Sequence, residues 1–173
     1  VMQRIHAASG IETRHLALPL AEYRAIEGFT ATNALFAELA LPLAERAVTA
    51  ALAEAGMRVD EVDHLFFTTV TGLGAPSLDA QLATSMGFRS DLRRVPSFGL
   101  GCVAGAAGLA RVADYLAGHP RGVALLVAVE LCSLTLQWGD ASMANVVGTG
   151  IFGDGAAAVV MVGDAHPVLA AAE

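Results

Sequence analysis

The residue best placed to do chemistry is Cys102, in the stretch Phe98-Gly-Leu-Gly-Cys-Val-Ala-Gly-Ala-Ala-Gly108, where a short strand pattern gives way to a helix pattern. A thiol at the amino end of a helix faces unpaired backbone N–H groups and the positive end of the helix dipole, which favour thiolate over thiol. Such a thiolate is a nucleophile. Cysteine is also among the most commonly buried residues, and on local sequence alone nucleophile and core filler stand level. A cysteine nucleophile generally needs a histidine and a set of oxyanion donors. His6, His15, His64, His119 and His166 share no motif with a neighbouring polar residue. Each reads as solvated or satisfied, so a base for Cys102 is expected from outside this sequence. Glu130 follows an apolar run and could be a general base. A carboxylate tied to backbone N–H groups or an arginine is the better reading, because an unpaired buried carboxylate is costly. Cys132 points to the same side if the strand continues, and reads as a small apolar filler. Gly99-x-Gly101-x-x-x-Gly105 imitates a dinucleotide-binding loop poorly, since Pro96 interrupts the strand and Glu130 comes too late to serve as the ribose-binding acid. Gly101, Gly105 and Gly108 read instead as packing positions on a buried helix.

The elements that must position these residues follow from periodicity. Residues 1–28 show short or irregular elements. From Thr32, a plausible cap, to Ala55 apolar residues recur at helical spacing, with a kink or break expected at Pro42. His64 to Val70 reads as a buried strand that ends in the Thr71–Pro76 loop. Ser77 caps a helix stopped by Gly87, and Arg93–Phe98 is an edge-like strand because of Pro96. The Cys102 helix runs to about Ala117 and is apolar nearly all round, which predicts burial. Gly122–Val129 is a strand covered on both faces. A short helix is expected around Ala141–Val147, then a glycine turn at Ile151–Gly155 and a final buried strand, Ala156–Val162. Helices alternating with strands give an α/β layered domain.

Composition narrows the function classes. The chain has 173 residues, 55% hydrophobic and 16% charged, which suits one domain with a large buried fraction. A net charge of −7 argues against nucleic acid and acidic membranes as partners. All ten basic residues are arginine, which excludes a lysine Schiff base within this chain. The longest uncharged run, Val95–Ala110, is shorter than the roughly 20 residues a membrane span requires. The amino terminus lacks the pattern of a signal peptide, and cytoplasm is the expected location. Cys102 and Cys132 lack metal-ligand spacing and are expected as free thiols, with no metal site.

Four segments then converge: Thr68-Thr-Val-Thr-Gly-Leu-Gly-Ala-Pro-Ser-Leu-Asp79, Leu100-Gly-Cys-Val-Ala-Gly105, Val129-Glu-Leu-Cys-Ser133 and Ile151-Phe-Gly-Asp-Gly-Ala-Ala-Ala158. In order and spacing they resemble the amino-terminal half of type III polyketide synthases, the chalcone synthase family, from about Gly10 to Gly163. The Gly-Cys-Val-Ala-Gly form looks most like bacterial members that make alkylpyrones or alkylresorcinols. The resemblance implies a thiolase-like αβαβα fold of two similar halves, of which residues 1–173 supply the one that carries the nucleophile. Cys102 matches the family's acyl-accepting cysteine, loaded from acyl-coenzyme A and extended by decarboxylative Claisen condensation with malonyl-coenzyme A, towards a pyrone or resorcinol product. Val70, Thr71, Cys132 and Thr135 match cavity-lining positions, and Phe152 matches a gatekeeper. Ala75 matches a loop residue that reaches the partner's cavity in a homodimer. Arg14 matches a coenzyme A phosphate contact, although Ala8 and Glu12 stand where plant members are basic. No cofactor is implied beyond these coenzyme A substrates. The family's catalytic histidine and asparagine belong to the carboxyl-terminal half and its first core strand lies upstream of Val1, so this chain alone is expected to be inactive. Two competing readings are a ketosynthase III-like fatty acid initiation enzyme and a non-catalytic dimerisation or nucleotide-binding domain. The glycine before Cys102 and the Phe152 turn favour the polyketide synthase.

Overall fold

The computed structural model describes residues 2–170, and its centre is a four-stranded sheet. Strands β1 (His64–Thr69), β2 (Arg93–Phe98), β3 (Val123–Leu131) and β4 (Asp154–Val162) lie in the order β2-β1-β3-β4. The first three are parallel and β4 runs antiparallel beside β3. β1 is buried throughout and β3 nearly so, as their unbroken apolar runs require. Pro96 does sit on an edge strand, where a missing N–H is tolerated.

Two helices cover the faces of the sheet. Helix α2 (Gly28–Ala55) buries Phe36, Ala40, Ala44, Val48 and Leu52, an i,i+4 row, against Leu65, Phe67, Leu125, Val127 and Val129. Helix α4 (Ala104–Ala117) buries Ala104, Gly108, Val112 and Leu116 at the same spacing, against Phe66, Ala124 and Leu126. A short amino-terminal helix, α1 (Met2–Ala8), packs on α5 (Met143–Ile151), and α3 (Leu78–Ser85) links β1 to β2. A last turn, α6, spans Pro167–Ala170.

Several expectations are corrected. Helix α2 starts at Gly28 rather than Thr32, whose hydroxyl instead donates back to the Phe29 carbonyl at 3.0 Å. It runs through Pro42 without a break, because Pro42 lies on the exposed face, where water can satisfy the carbonyl left free. Ser77 holds the cap position of α3 but makes no side-chain cap bond. Helix α5 lies slightly later than the sequence suggested. Helix α4 buries one stripe only, leaving Leu109 exposed, because the described residues cover it from the sheet side alone. β4 is an edge strand, packed by α2 through Ala156, Ala158 and Val160 while Val159 is exposed. Of the three glycines assigned to packing only Gly108 packs: a Cβ there would stand 2.7 Å from Leu126 Cδ1 and 3.1 Å from Phe66, whereas Gly101 and Gly105 meet nothing.

Gly108→Val therefore loses about 1–3 kcal/mol of stability through overpacking, and Gly105→Ala, in open space on the same helix, loses none. Denaturant midpoints of the two variants check the difference.

Candidate active site

The parallel register brings β1, β2 and β3 to an end along one edge of the sheet, and antiparallel β4 begins there, with Asp154 opposite Leu131. Nearly every residue singled out by sequence lies on the segments leaving this edge. Val70, Thr71 and Ala75 follow β1, Cys102 follows β2, Cys132 and Thr135 form the turn after β3, and Phe152 precedes β4.

Cys102 sits exposed in a single 3-10 turn, Gly101–Val103, that runs straight into α4. Gly99 and Gly101 have φ of 91° and 61°, left-handed values that glycine adopts freely, and they turn the chain sharply from β2 into the helix. No side chain caps α4 or the turn before it; the Ala104 N–H donates to the Gly101 carbonyl, so the helix entrance is the 3-10 turn that carries the thiol. The thiol therefore stands at a helix entrance, as its sequence context suggested.

Glu130 is a structural anchor, the better of its two sequence readings. Its carboxylate accepts from the N–H groups of Val70 at 3.0 Å and Thr71 at 3.1 Å, and from the Thr71 hydroxyl at 2.7 Å. The Thr71 oxygen in turn accepts from Leu131 N–H at 2.9 Å. Asp154 does the same for the next segment: it accepts from Ser133 N–H at 2.7 Å, from the Ser133 hydroxyl, and from Ala17 N–H at 2.6 Å. Asn33 clamps the loop that carries Ala75, accepting from Leu73 N–H at 2.8 Å and donating to the Leu73 carbonyl at 3.0 Å. Sequence reasoning missed Asp154 and Asn33 as anchors; the Gly-Asp-Gly motif was a signal for the first, and none existed for the second. Arg14 donates to the Gly150 carbonyl at 2.5 Å, so it braces the turn that leads into Phe152. Phe152 itself is 49% exposed.

The two thiols differ in kind. Cys132 is half-buried, and its pKa is pushed up to about 11 by burial first, then by the charges of Glu130 and Asp154.

The match to known proteins is extensive. Residues 3–166 match the family described as chalcone and stilbene synthases, N-terminal domain. The chain belongs to the chalcone and stilbene synthase family. Within that family it is 54% identical, over 160 residues, to a 1,3,6,8-tetrahydroxynaphthalene synthase from Streptomyces peucetius subsp. caesius, covering 92% of this chain and 42% of the relative. It is 35% identical over 164 residues to the alpha-pyrone synthesis polyketide synthase-like Pks18 of Mycobacterium tuberculosis, covering 91% and 42%. The crystal structure of the tetrahydroxynaphthalene synthase of Streptomyces coelicolor A3(2), a bacterial type III polyketide synthase, superposes with a TM-score of 0.89 at 34% identity, over 92% of this chain and 46% of that one. This chain of the chalcone and stilbene synthase family thus has the fold of a type III polyketide synthase amino-terminal domain, and spans less than half the length of these relatives.

At pH 8 a thiol whose pKa is about 11 is ionised in about one molecule in a thousand, so a thiolate-selective alkylating reagent labels Cys102 well ahead of Cys132. Peptide mapping after brief labelling checks this. In Glu130→Gln, which removes one of the charges that suppress ionisation, labelling of Cys132 speeds up.

Proposed function

We propose that this chain is the nucleophile-bearing part of a type III polyketide synthase. The observation that carries the reading is the exposed thiol of Cys102 at the uncapped entrance of α4, on the sheet edge where the four family-like segments meet. Cys102 thiolate attacks the thioester carbonyl of an acyl-coenzyme A, and coenzyme A leaves as its thiolate. Malonyl-coenzyme A then loses carbon dioxide, and the resulting enolate attacks the enzyme-bound acyl carbon and frees Cys102. The helix entrance supplies N–H groups towards the developing oxyanion. The histidine and asparagine that assist this chemistry come, in this proposal, from outside the 173 residues, as does the partner subunit whose cavity Ala75 reaches in a homodimer. Val70, Thr71, Cys132 and Thr135 form part of the cavity wall, Phe152 guards its entrance, and Arg14 lies near the coenzyme A path.

A pyrone or resorcinol is the proposed product class, in keeping with the likeness to Pks18. A second reading, a tetrahydroxynaphthalene-type product, is favoured by the 54% identity to the Streptomyces peucetius enzyme. Product analysis of the full-length polypeptide separates the two.

Incubation with an acyl-coenzyme A followed by mass spectrometry tests the core of the proposal. A single acyl adduct on Cys102, abolished in Cys102→Ala, is expected. Unmodified Cys102 in a folded full-length protein overturns it and favours a non-catalytic domain. Replacing Ala75 with a bulky residue shifts starter preference towards shorter acyl chains, and an unchanged preference counts against its place beside the cavity.

A further inference from the structure

At the opposite edge of the sheet, where β1, β2 and β3 begin, lies a second concavity that the proposed chemistry does not use. Asp63, Arg89, Asp91, Arg93, His119 and Arg121 border it, and its volume is about 640 Å³. Its charges do not balance. Both carboxylates are held by one guanidinium, since Arg89 contacts Asp63 at 2.6 Å and Asp91 at 2.7 Å. The second Asp63 oxygen is held by Val123 N–H at 2.8 Å. Neither Arg93 nor Arg121 makes a salt bridge among the described residues, although Arg93, after Arg89, helps hold Asp91 ionised from further away. Asp164, on the turn after β4, does not border the cavity. Three guanidinium groups against two carboxylates thus leave the concavity one net positive charge, in a chain with 17 acidic and only ten basic residues.

The carboxyl end of α4 accounts for part of this, as its carbonyl groups amount to about half a negative charge. That offsets only part of the one net positive charge. Arg93 is also oriented in an unusual way. Its Nη1 lies 2.5 Å from His119 Nε2, and a guanidinium can only donate, so Nε2 accepts and the imidazole is neutral there. The proton sits on Nδ1, which donates to the Tyr115 carbonyl at 2.8 Å. A guanidinium held by a neutral ring keeps its full charge for a ligand. The ring is itself held firmly: His64, Tyr115 and His119 stack at centroid distances of 4.2 and 4.1 Å. His64, 6% exposed, seats the stack in the core.

We propose that this cavity binds a phosphate-class oxyanion, most simply a phosphate monoester, with its oxygens bridging Arg93 and Arg121 and its organic group filling the remaining space. Guanidinium groups meet phosphate oxygens with paired N–H donors, which is the chemistry left free here.

The test uses the full-length polypeptide that contains this chain. It is titrated with inorganic phosphate and, separately, with glycerol 2-phosphate, with sodium chloride at matched ionic strength as control, while the His119 ring signals are followed by NMR. Saturable shifts with both phosphates and none with chloride are expected. Arg93→Gln and Arg121→Gln should each weaken binding by about tenfold or more without altering Cys102 alkylation. Tighter binding of the ester assigns the site to an organic phosphate, and equal binding assigns it to the free anion. Arg121→Lys, which keeps the charge but loses the paired donors, should fall between wild type and Arg121→Gln. Shifts reproduced by chloride, no shift at all, or unchanged affinity in the double glutamine variant would overturn the proposal.

Discussion

Glu130 ends the central strand with a carboxylate placed where two parallel strands part and their backbone groups lose each other as partners. By accepting from the Val70 and Thr71 N–H groups and the Thr71 hydroxyl, it replaces the missing ladder bonds and fixes the loop after β1 to the turn after β3. A neutral side chain of that size offers fewer acceptor sites, and a buried donor left unpaired there would cost about 1–3 kcal/mol. The same negative charge, together with burial, keeps Cys132 a thiol. One residue therefore both ties the loops of the site together and adds to the burial that keeps Cys132 protonated.

Asp154 repeats the device one strand along. Standing at the start of β4, it gathers Ser133, which it holds through both N–H and hydroxyl, and the Ala17 backbone. Ser133 Oγ also lies 2.6 Å from the Tyr23 hydroxyl, so this network reaches the amino-terminal segment. The glycine before Asp154 is where the chain must pass closely: a Cβ on Gly153 would stand 3.0 Å from Arg14 Cβ, whereas one on Gly155 would meet nothing. Acids at strand ends thus tie the loop after β1, the turn after β3 and the amino-terminal segment together along the sheet edge on which Cys102 also lies.

Much of the fold was legible in the sequence. The alternation of elements, the edge position signalled by Pro96 and the buried runs of β1 and β3 follow from local rules, because they depend on what each segment is made of. The errors about burial share one cause. Periodicity shows that α4 and β4 are apolar but not what lies over them, and the described residues cover each from one side only, which leaves Leu109 and Val159 exposed. For the site, Cys102 and Glu130 were visible because their types and positions narrow the chemistry. Asn33 and Arg14 act on partners 40 and 136 residues away, a pairing that no local pattern encodes.

The geometry of β2 and α4 links the two ends of the sheet. β2 carries Arg93 at its start and leads to Cys102 at its end, while α4 begins beside Cys102 and carries Tyr115 in its last turn, just before His119. Six residues of strand and fourteen of helix each span about 20 Å, so the two elements that aim the thiol are the two that hold the stacked rings and the Arg93 guanidinium at the far edge. A charge bound between Arg93 and Arg121 would press on the carboxyl end of α4 and the first residue of β2 together. Both elements are packed against Phe66 and Leu126 or hydrogen-bonded to β1 along their length, and close-packed interiors move as units rather than absorb strain locally. The separation of a thiol edge from a guanidinium edge is therefore a property of the parallel sheet itself, which gathers every strand end on one side and every strand start on the other.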